Sequence, residues 1–284
     1  MIRWRTSYRE ASKFSRRVVW VGGGIVLLFL LLASLSPILT PYNPINSERN
    51  DPFTSPGFKH WMGTTKMGYD VFSRLLSGSR IAFIVILLAT TLAMLIGLPL
   101  GLISGYSRGK IDRFLVMLMD SVYAFPSLLL AITVAALLGR GVVNASLSIS
   151  VVYIPQYYRV IRNHVLSVRE EVYVEAARAL GASRWTILRK YILFNVIQSV
   201  PVILTLNAAD AILTLAGLGF LGYGVTPPTP EWGYDLSKAM GDFASGIWWT
   251  SFFPGVFIVL LTLGFTLLGE GLNDILNPLL RGRR

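Results

Sequence analysis

The chain alternates six long apolar stretches with short polar segments. Each stretch runs for about 18 residues or more with at most one charged side chain, and a helix needs about 20 apolar residues to cross a bilayer. The pattern therefore predicts an all-α membrane protein with six transmembrane helices. We expect these spans at Val18–Leu39, Ile81–Ser107, Phe114–Gly139, Gly141–Tyr158, Val196–Gly222 and Phe243–Gly269.

The first apolar stretch follows a basic segment, as the core of a signal peptide would. It is longer than the core of about 7–15 residues that signal peptides usually have. Pro37 and Pro41 end it without a clear small-residue cleavage site. We therefore expect it to be retained as a span.

Lysine and arginine are distributed unevenly between the two sides of this topology. The N-terminal segment, the 108–113 loop, the 159–190 loop and the C-terminal tail hold 19 of the 26 basic residues, and the opposite side holds 7. Cytoplasmic loops are the ones enriched in Lys and Arg. Both termini and the 159–190 loop are therefore predicted to be cytoplasmic.

Composition excludes several other classes of protein. Charged residues make up 14% of the chain, against roughly 25% in a soluble domain. The chain has no cysteine, which excludes disulfides and thiolate chemistry. Its two histidines are too few for a histidine metal site, and we expect His60 to be exposed in an outer loop. The net charge of +11 is attributed to cytoplasmic loops rather than to nucleic-acid binding.

The predicted topology divides the chain into three parts. Residues 1–17 form a cytoplasmic N-terminal segment, and residues 18–80 hold the first span and an outer loop. Residues 81–284 form a core with five spans, and this core contains a long inner loop at 159–195 between the fourth and fifth spans.

Within the inner loop, the pattern predicts a helix, a glycine turn and a second helix. A short helix is expected over Glu170–Arg178. Gly181 breaks it, because glycine weakens helices and adopts left-handed backbone angles. Ser183 can then cap the second short helix. The periodicity by itself fits equally well an amphipathic helix pair that lies at the interface without a partner.

The inner loop also contains a spaced motif. Its members are Glu175, Ala176, Ala177, Gly181 and the pair Ile192-Leu193. The set resembles the EAA loop of importer permeases of the ATP-binding-cassette (ABC) class. In that family the loop docks in a groove of the cytoplasmic ATPase, which implies a coupling role for it here. The family usually has proline after the Ile-Leu pair, where this chain has Phe194.

Segments from residue 60 to the C-terminus resemble the same family in order. They narrow the resemblance to the C-type permeases of the dipeptide, oligopeptide and nickel branch. Thr65 and Tyr69 depart from the pattern, because the branch usually has an acidic residue and an arginine there. The matching segments include residues 60–64, 217–222, 227–233, 253–255 and 268–274.

The resemblance implies a function and a set of partners. The chain would be a permease subunit of an ATP-driven importer in the cytoplasmic membrane, moving a substrate inward, with di- or oligopeptides as the leading candidates. Its partners would be a second homologous permease, two cytoplasmic ATPase subunits, an external substrate-binding protein and the lipid bilayer. The chain has no phosphate-binding loop of the GxxxxGK[ST] form. ATP and Mg²⁺ would therefore be bound by the ATPase subunits, with no cofactor and no enzymatic activity on this chain.

Asp120 is one of two carboxylates in the predicted spans. The family usually has an arginine three residues earlier, where this chain has Met117. We expect Asp120 to have a structural role and to pair instead with a basic residue of the inner loop. An alternative function is a secondary carrier that uses Asp120 and Asp210 for ion coupling.

Asp210 lies near the midpoint of the fifth predicted span. At helical spacing, Asn207, Asp210, Thr214 and Gly217 share one polar face. An ionised aspartate at this depth costs about 2.5–3.5 kcal/mol and rarely faces lipid. We expect the face to line the translocation pathway, with a helix-packing hydrogen bond as the equally weighted alternative.

Overall fold

The computed structural model describes residues 13–46, 50–107 and 109–276. The extreme ends, on which the prediction of cytoplasmic termini falls, lie outside these ranges. Within them the regular structure is helical, apart from an isolated bridge between Thr64 and Asp70. The elements are α1 (Lys13–Leu39), α2 (Val71–Ser107), α3 (Gly109–Tyr123), α4 (Ser127–Leu138), α5 (Val142–Val168), α6 (Val172–Ala179), α7 (Arg184–Thr186), a π-helix (Ile187–Ile192), α8 (Leu193–Val196), a 3-10 helix (Ile197–Ser199), α9 (Val200–Phe220), α10 (Trp232–Phe243) and α11 (Trp249–Leu276).

Four helical segments of the described ranges are long and apolar enough to cross a membrane. They are Lys13–Leu39, Val71–Ser107, Arg184–Phe220 and Trp249–Leu276. The pair α3 and α4 would add a fifth crossing if it is taken as one broken span.

The expected third span, Phe114–Gly139, is not one continuous helix. α3 and α4 are bent by 89° relative to each other, and Pro126 lies at the break with extended backbone (φ −55°, ψ 126°). Proline lacks the N–H that would continue the helical ladder, and its ring disfavours helical geometry in the preceding residue. The axis of α4 therefore runs in a different direction from that of α3.

Glycines bring α2 and α5 into close contact. Gly97, Gly101 and Gly105 recur every four residues along one face of α2. A Cβ atom at Gly97 would lie 2.6 Å from the Cβ of Tyr157, and one at Gly105 would lie 2.7 Å from the Cβ of Val165. Small residues at this spacing allow helix backbones to approach closely in membranes, and they fix the register of α5.

α5 and α9 run antiparallel. The Tyr153 hydroxyl lies 2.9 Å from the Thr214 hydroxyl, whereas His164, later in α5, lies against Ser199, earlier in the chain than α9 (Nδ1 to Oγ, 2.6 Å). The residue number thus rises along α5 while that of its partner falls along the segment of α9. This defines the antiparallel arrangement and the register of the two helices.

The short helix α4 covers only part of this pair. It has 12 residues against the 27 of α5, and its end stays near the start of α5, where Asn144 donates to the Leu138 carbonyl at 2.8 Å. On α9 it meets the C-terminal half, because Leu128 contacts Gly217. The later half of α5 and the earlier half of α9 are left uncovered by α4.

The expectation that His60 is exposed is wrong. Its side chain is buried, and Nδ1 lies 2.9 Å from Asp70 Oδ1. Asp70 also accepts a hydrogen bond from the Ser73 backbone N–H at 2.8 Å, and the Tyr42 ring lies 4.5 Å from the His60 ring. The segment before α2 folds into a compact turn structure that encloses the imidazole.

α10, which the sequence pattern did not predict, begins at a buried cap. The Glu231 carboxylate accepts hydrogen bonds from the backbone N–H groups of Gly233 and Tyr234, both at 2.8 Å. The side chain thus acts as the N-cap of α10, although glutamate is not among the residues preferred at that position. Gly219 of α9 leaves the room for it, because a Cβ there would overlap the carboxylate.

Candidate functional site

α6 carries the EAA-like residues on two different faces. Val174 and Ala177 are buried and hold the helix on the body of the protein, while Glu175 and Ala176 are exposed. Among these three motif residues, a docking partner can therefore reach Glu175 and Ala176 directly, and Ala177 acts as a packing residue.

Gly181 ends α6 in a left-handed conformation with φ of +82°. The Gly181 N–H donates to the Arg178 carbonyl and the Ala182 N–H donates to the Ala177 carbonyl, each at 3.0 Å. The bond between Ala182 and Ala177 is the long bond of a Schellman cap. A Cβ at Gly181 would meet no atom within 4 Å, so the backbone angle is what requires glycine here.

The second half of the loop begins as predicted. The Ser183 hydroxyl accepts a hydrogen bond from the Thr186 N–H at 3.2 Å and caps the next helical segment. At the root of the loop, Arg169 Nη1 donates to the Gly105 carbonyl at 2.5 Å. An open cavity of about 800 Å³ lies between the loop and the ends of α2 and α3. The loop is thus anchored at its root and stands apart from these helix ends.

Asp120 pairs with Arg159, the first residue of the predicted inner loop. Arg159 Nη2 lies 2.7 Å from Asp120 Oδ1, and the two side chains are 41% and 50% exposed. The guanidinium also lies 4.0 Å from the centre of the Tyr123 ring. Arg159 is a basic partner for Asp120 of the kind expected, but it lies inside α5 rather than in a loop.

The four polar positions of α9 do not share one exposed face. Asn207 and Thr214 are buried, and Thr214 is bonded to Tyr153 of α5. Gly217 lies against Leu128 of α4. Asp210 is exposed. Its carboxylate makes no hydrogen bond or ion pair with any residue in the described ranges.

Sequence reasoning did not single out the residues around Asp120. Tyr123 and Arg159 flank its carboxylate, and Gln156 lies one turn before Arg159 in α5. The signal that could have found them was the spacing: Tyr123 follows Asp120 by three residues, and Arg159 follows Gln156 by three, so each pair shares a helix face.

Comparison with known proteins identifies the family to which the chain belongs. The family described as binding-protein-dependent transport system inner membrane component matches residues 97–282. The chain belongs to this family. It is a multi-pass permease of the inner membrane, with helices long and apolar enough to span it.

Close relatives of the permease cover almost its whole length. A glutathione transport system permease protein of Pectobacterium atrosepticum is 38% identical over 98% of this chain and 93% of its own. A dipeptide transport system permease protein of Alkalihalophilus pseudofirmus is 38% identical over 97% of this chain and 90% of its own. A probable D,D-dipeptide transport system permease protein of Escherichia coli is 37% identical over 92% of this chain and 87% of its own.

A solved structure shares the permease fold. A chain from inward-facing conformations of the MetNI methionine ABC transporter superposes with a TM-score of 0.56 at 19% identity, over 69% of this chain and 93% of that chain. This likeness concerns the fold. The family and the curated relatives make the permease a translocation subunit of an ABC-type importer, a system that also includes ATPase and substrate-binding components. Nothing in these comparisons supports the alternative of a secondary carrier.

Proposed function

We propose that this permease moves di- or oligopeptides inward across the cytoplasmic membrane, with energy from separate ATPase subunits. The observation that carries this proposal is the similarity, at 36–39% identity, to permeases named for dipeptides and for glutathione. Such substrates share an ammonium group and carboxylates at the ends of a short chain. Two charged sites on this permease, the exposed Asp210 and the half-buried Arg159, are compatible with that chemistry.

The proposed topology has six spans with both termini in the cytoplasm. The bent pair α3 and α4 forms the third span, and the first part of α5 forms the fourth. The segments 1–17, 18–80 and 81–284 keep the roles predicted for them. The excess of Lys and Arg on the predicted inner side supports this orientation.

The proposed coupling site is the α6 turn on the cytoplasmic side. Exposed Glu175 and Ala176 contact the ATPase, Ala177 packs α6 onto the permease, and Gly181 sets the angle of the turn. The anchored root of the loop supports this role, because a rigid element transmits force where a mobile one does not.

The proposed pathway passes the exposed carboxylate of Asp210. An ionised aspartate in a span almost always faces a bundle interior or a hydrated cavity. Asn207 is buried in this part of α9, Thr214 joins the helix to α5 through Tyr153, and Gly217 lies against α4. A second homologous permease would close the pathway opposite this surface, and two ATPase subunits with bound ATP and Mg²⁺ and an external binding protein would complete the importer.

The test is reconstitution of the assembled importer. The permease, its partner permease, the ATPases and the binding protein encoded beside it are placed in proteoliposomes that contain ATP. We expect uptake of a radiolabelled dipeptide or tripeptide, with little uptake of an oligosaccharide or of chelated nickel. Uptake of one of these other substrates without uptake of peptides would contradict the proposal.

A further inference from the structure

Within the described ranges, a surface between the C-terminal end of α3, the later half of α5 and the earlier half of α9 is not covered by α4. A cavity of about 220 Å³ opens at its edge, at the bend between α3 and α4, and Tyr123, Ser127 and Gln156 are among its lining residues. Asp120, Arg159 and Asp210 add three charged groups to the three helices around it.

These charges lie at membrane depth. Asp120 lies six residues beyond Phe114, where the expected third span begins, which corresponds to about 9 Å of helix in a hydrocarbon core of about 30 Å. Charged side chains at such depth face a protein interior or water rather than lipid. At such depth, the 41% and 50% exposure of Arg159 and Asp120 in the single chain is compatible with a surface that faces water in the assembly.

The guanidinium of Arg159 keeps unused hydrogen-bonding capacity. Among the described residues its one hydrogen bond goes from Nη2 to Asp120, and its face is held by the Tyr123 ring. A guanidinium has five N–H donors in a planar fork that matches a carboxylate. Asp120 and Tyr123 hold the group in place and leave its other donors open.

The helix register places Arg159 and Asp210 at nearly the same level. The contact between Tyr153 and Thr214 sets the reference level. Arg159 lies six residues after Tyr153 in α5, and Asp210 lies four residues before Thr214 in α9. Because the two helices are antiparallel, both residues are displaced from the contact in the same direction. At 1.5 Å per residue they are about 9 Å and 6 Å. With packed helix axes about 8–10 Å apart, the two charged groups lie roughly 10–15 Å from each other.

We propose that Arg159 binds the carboxylate end of a peptide in the pathway while Asp210 binds its ammonium end. The span between them fits an extended peptide of about three to four residues, at 3.3–3.6 Å per residue. This inference rests on the proposed function and adds the two contacts that distinguish a peptide from an uncharged solute. Asp120 and Tyr123 are the positioning residues for Arg159.

The experiment measures binding to the assembled permease pair with its ATPases, purified without the binding protein and without nucleotide. Trialanine, trialanine amide and N-acetyl-trialanine compete against radiolabelled trialanine. For the unaltered transporter we expect the amide and the acetylated peptide each to compete about tenfold more weakly, the size of effect that the loss of one charge-assisted hydrogen bond produces.

Variants assign each end of the peptide to a residue. Arg159→Gln should bind trialanine and its amide equally and should still prefer trialanine over the acetylated peptide. Asp210→Asn should bind trialanine and the acetylated peptide equally and should still prefer trialanine over the amide. Arg159→Lys keeps the charge and should retain most of the discrimination. Arg140→Gln, which removes an exposed arginine before α5, should leave both preferences unchanged.

Three outcomes overturn the inference. Equal competition by trialanine and its amide in the unaltered transporter contradicts it directly, and this measurement does not depend on any variant folding. Retained discrimination in Arg159→Gln contradicts the assignment to Arg159. If no peptide competes while the reconstituted importer takes up another solute, the proposed function fails together with the inference.

Discussion

Arg74 and Asp235, which are 161 positions apart in the chain, form a bidentate ion pair. Arg74 Nη2 lies 2.6 Å from Asp235 Oδ1, and Nε lies 3.0 Å from Oδ2. Nη1 donates to the carbonyls of Pro44 and Pro228 at 2.8 and 3.2 Å. One buried guanidinium thus joins α2 to the segment before it, to the loop that contains Pro228, and to α10.

Removing this guanidinium should destabilise the permease strongly. Arg74→Gln leaves the Asp235 carboxylate buried without its partner, and loss of one member of a buried pair costs about 3–5 kcal/mol. We expect a large fall in the amount of assembled transporter and in its midpoint temperature of unfolding in detergent. Lys238→Gln, which alters an exposed residue of α10, is the matched control. A midpoint temperature equal to that of the control would contradict this role.

The buried cap of α10 should make stability depend on pH. Burial raises the pKa of Glu231 to about 8, against the two backbone N–H donors that lower it. Between the ordinary pKa of about 4.5 and this value, the folded state holds a proton that the unfolded state has lost. The free energy of unfolding should therefore fall as pH rises through this window, by at most about 1.4 kcal/mol per pH unit.

Glu231→Gln isolates this contribution. The variant cannot ionise at this position, so its midpoint temperature should change less between pH 5 and pH 8 than that of the unaltered protein. Measuring both proteins in the same detergent and buffers removes the contribution of the other titrating groups. Parallel pH profiles would show that Glu231 does not titrate in this range.

The turn at Gly181 should couple the permease to its ATPase. Gly181→Val should reach the membrane but reduce co-purification of the ATPase, because valine resists the left-handed angle that ends α6. Gly181→Asn is the matched control, since asparagine tolerates that angle better, and a Cβ atom at this position meets no atom within 4 Å. Normal ATPase binding and transport by the valine variant would contradict the coupling role.

The proposed orientation can be tested by single cysteines, because the natural chain has none. A cysteine at Thr229 should react in intact cells with a reagent that does not cross the membrane, and one at Ser183 should react only after the membrane is opened. The reverse labelling pattern would contradict the topology. Equal amounts of both variants in the membrane serve as the control.

Much of the site could be predicted where local rules decide the geometry. Gly181 and Ser183 have the conformation and the capping bond that their residue types favour, and Asp120 found a basic partner in the predicted loop. These outcomes depend on backbone angles and on charge at membrane depth, both of which act over short distances.

Other features depend on contacts that no local pattern contains. His60 is buried because Asp70, ten residues later, and the Tyr42 ring both lie against its imidazole. Asn207 and Asp210 were counted on one face, but the four positions 207, 210, 214 and 217 spread over an arc of about 80° at 100° per residue. That arc is wide enough for one edge to pack on α5 while the other remains exposed.

The most direct measurement of the account is the energy source of transport. Proteoliposomes that hold the permease, its partner permease and the ATPases are supplied with the binding protein and labelled tripeptide on the side equivalent to the cell exterior. We predict uptake with enclosed ATP and none with enclosed ADP, whatever proton or sodium gradient is imposed. Uptake by this chain without ATPases, driven by an ion gradient alone, would contradict the account.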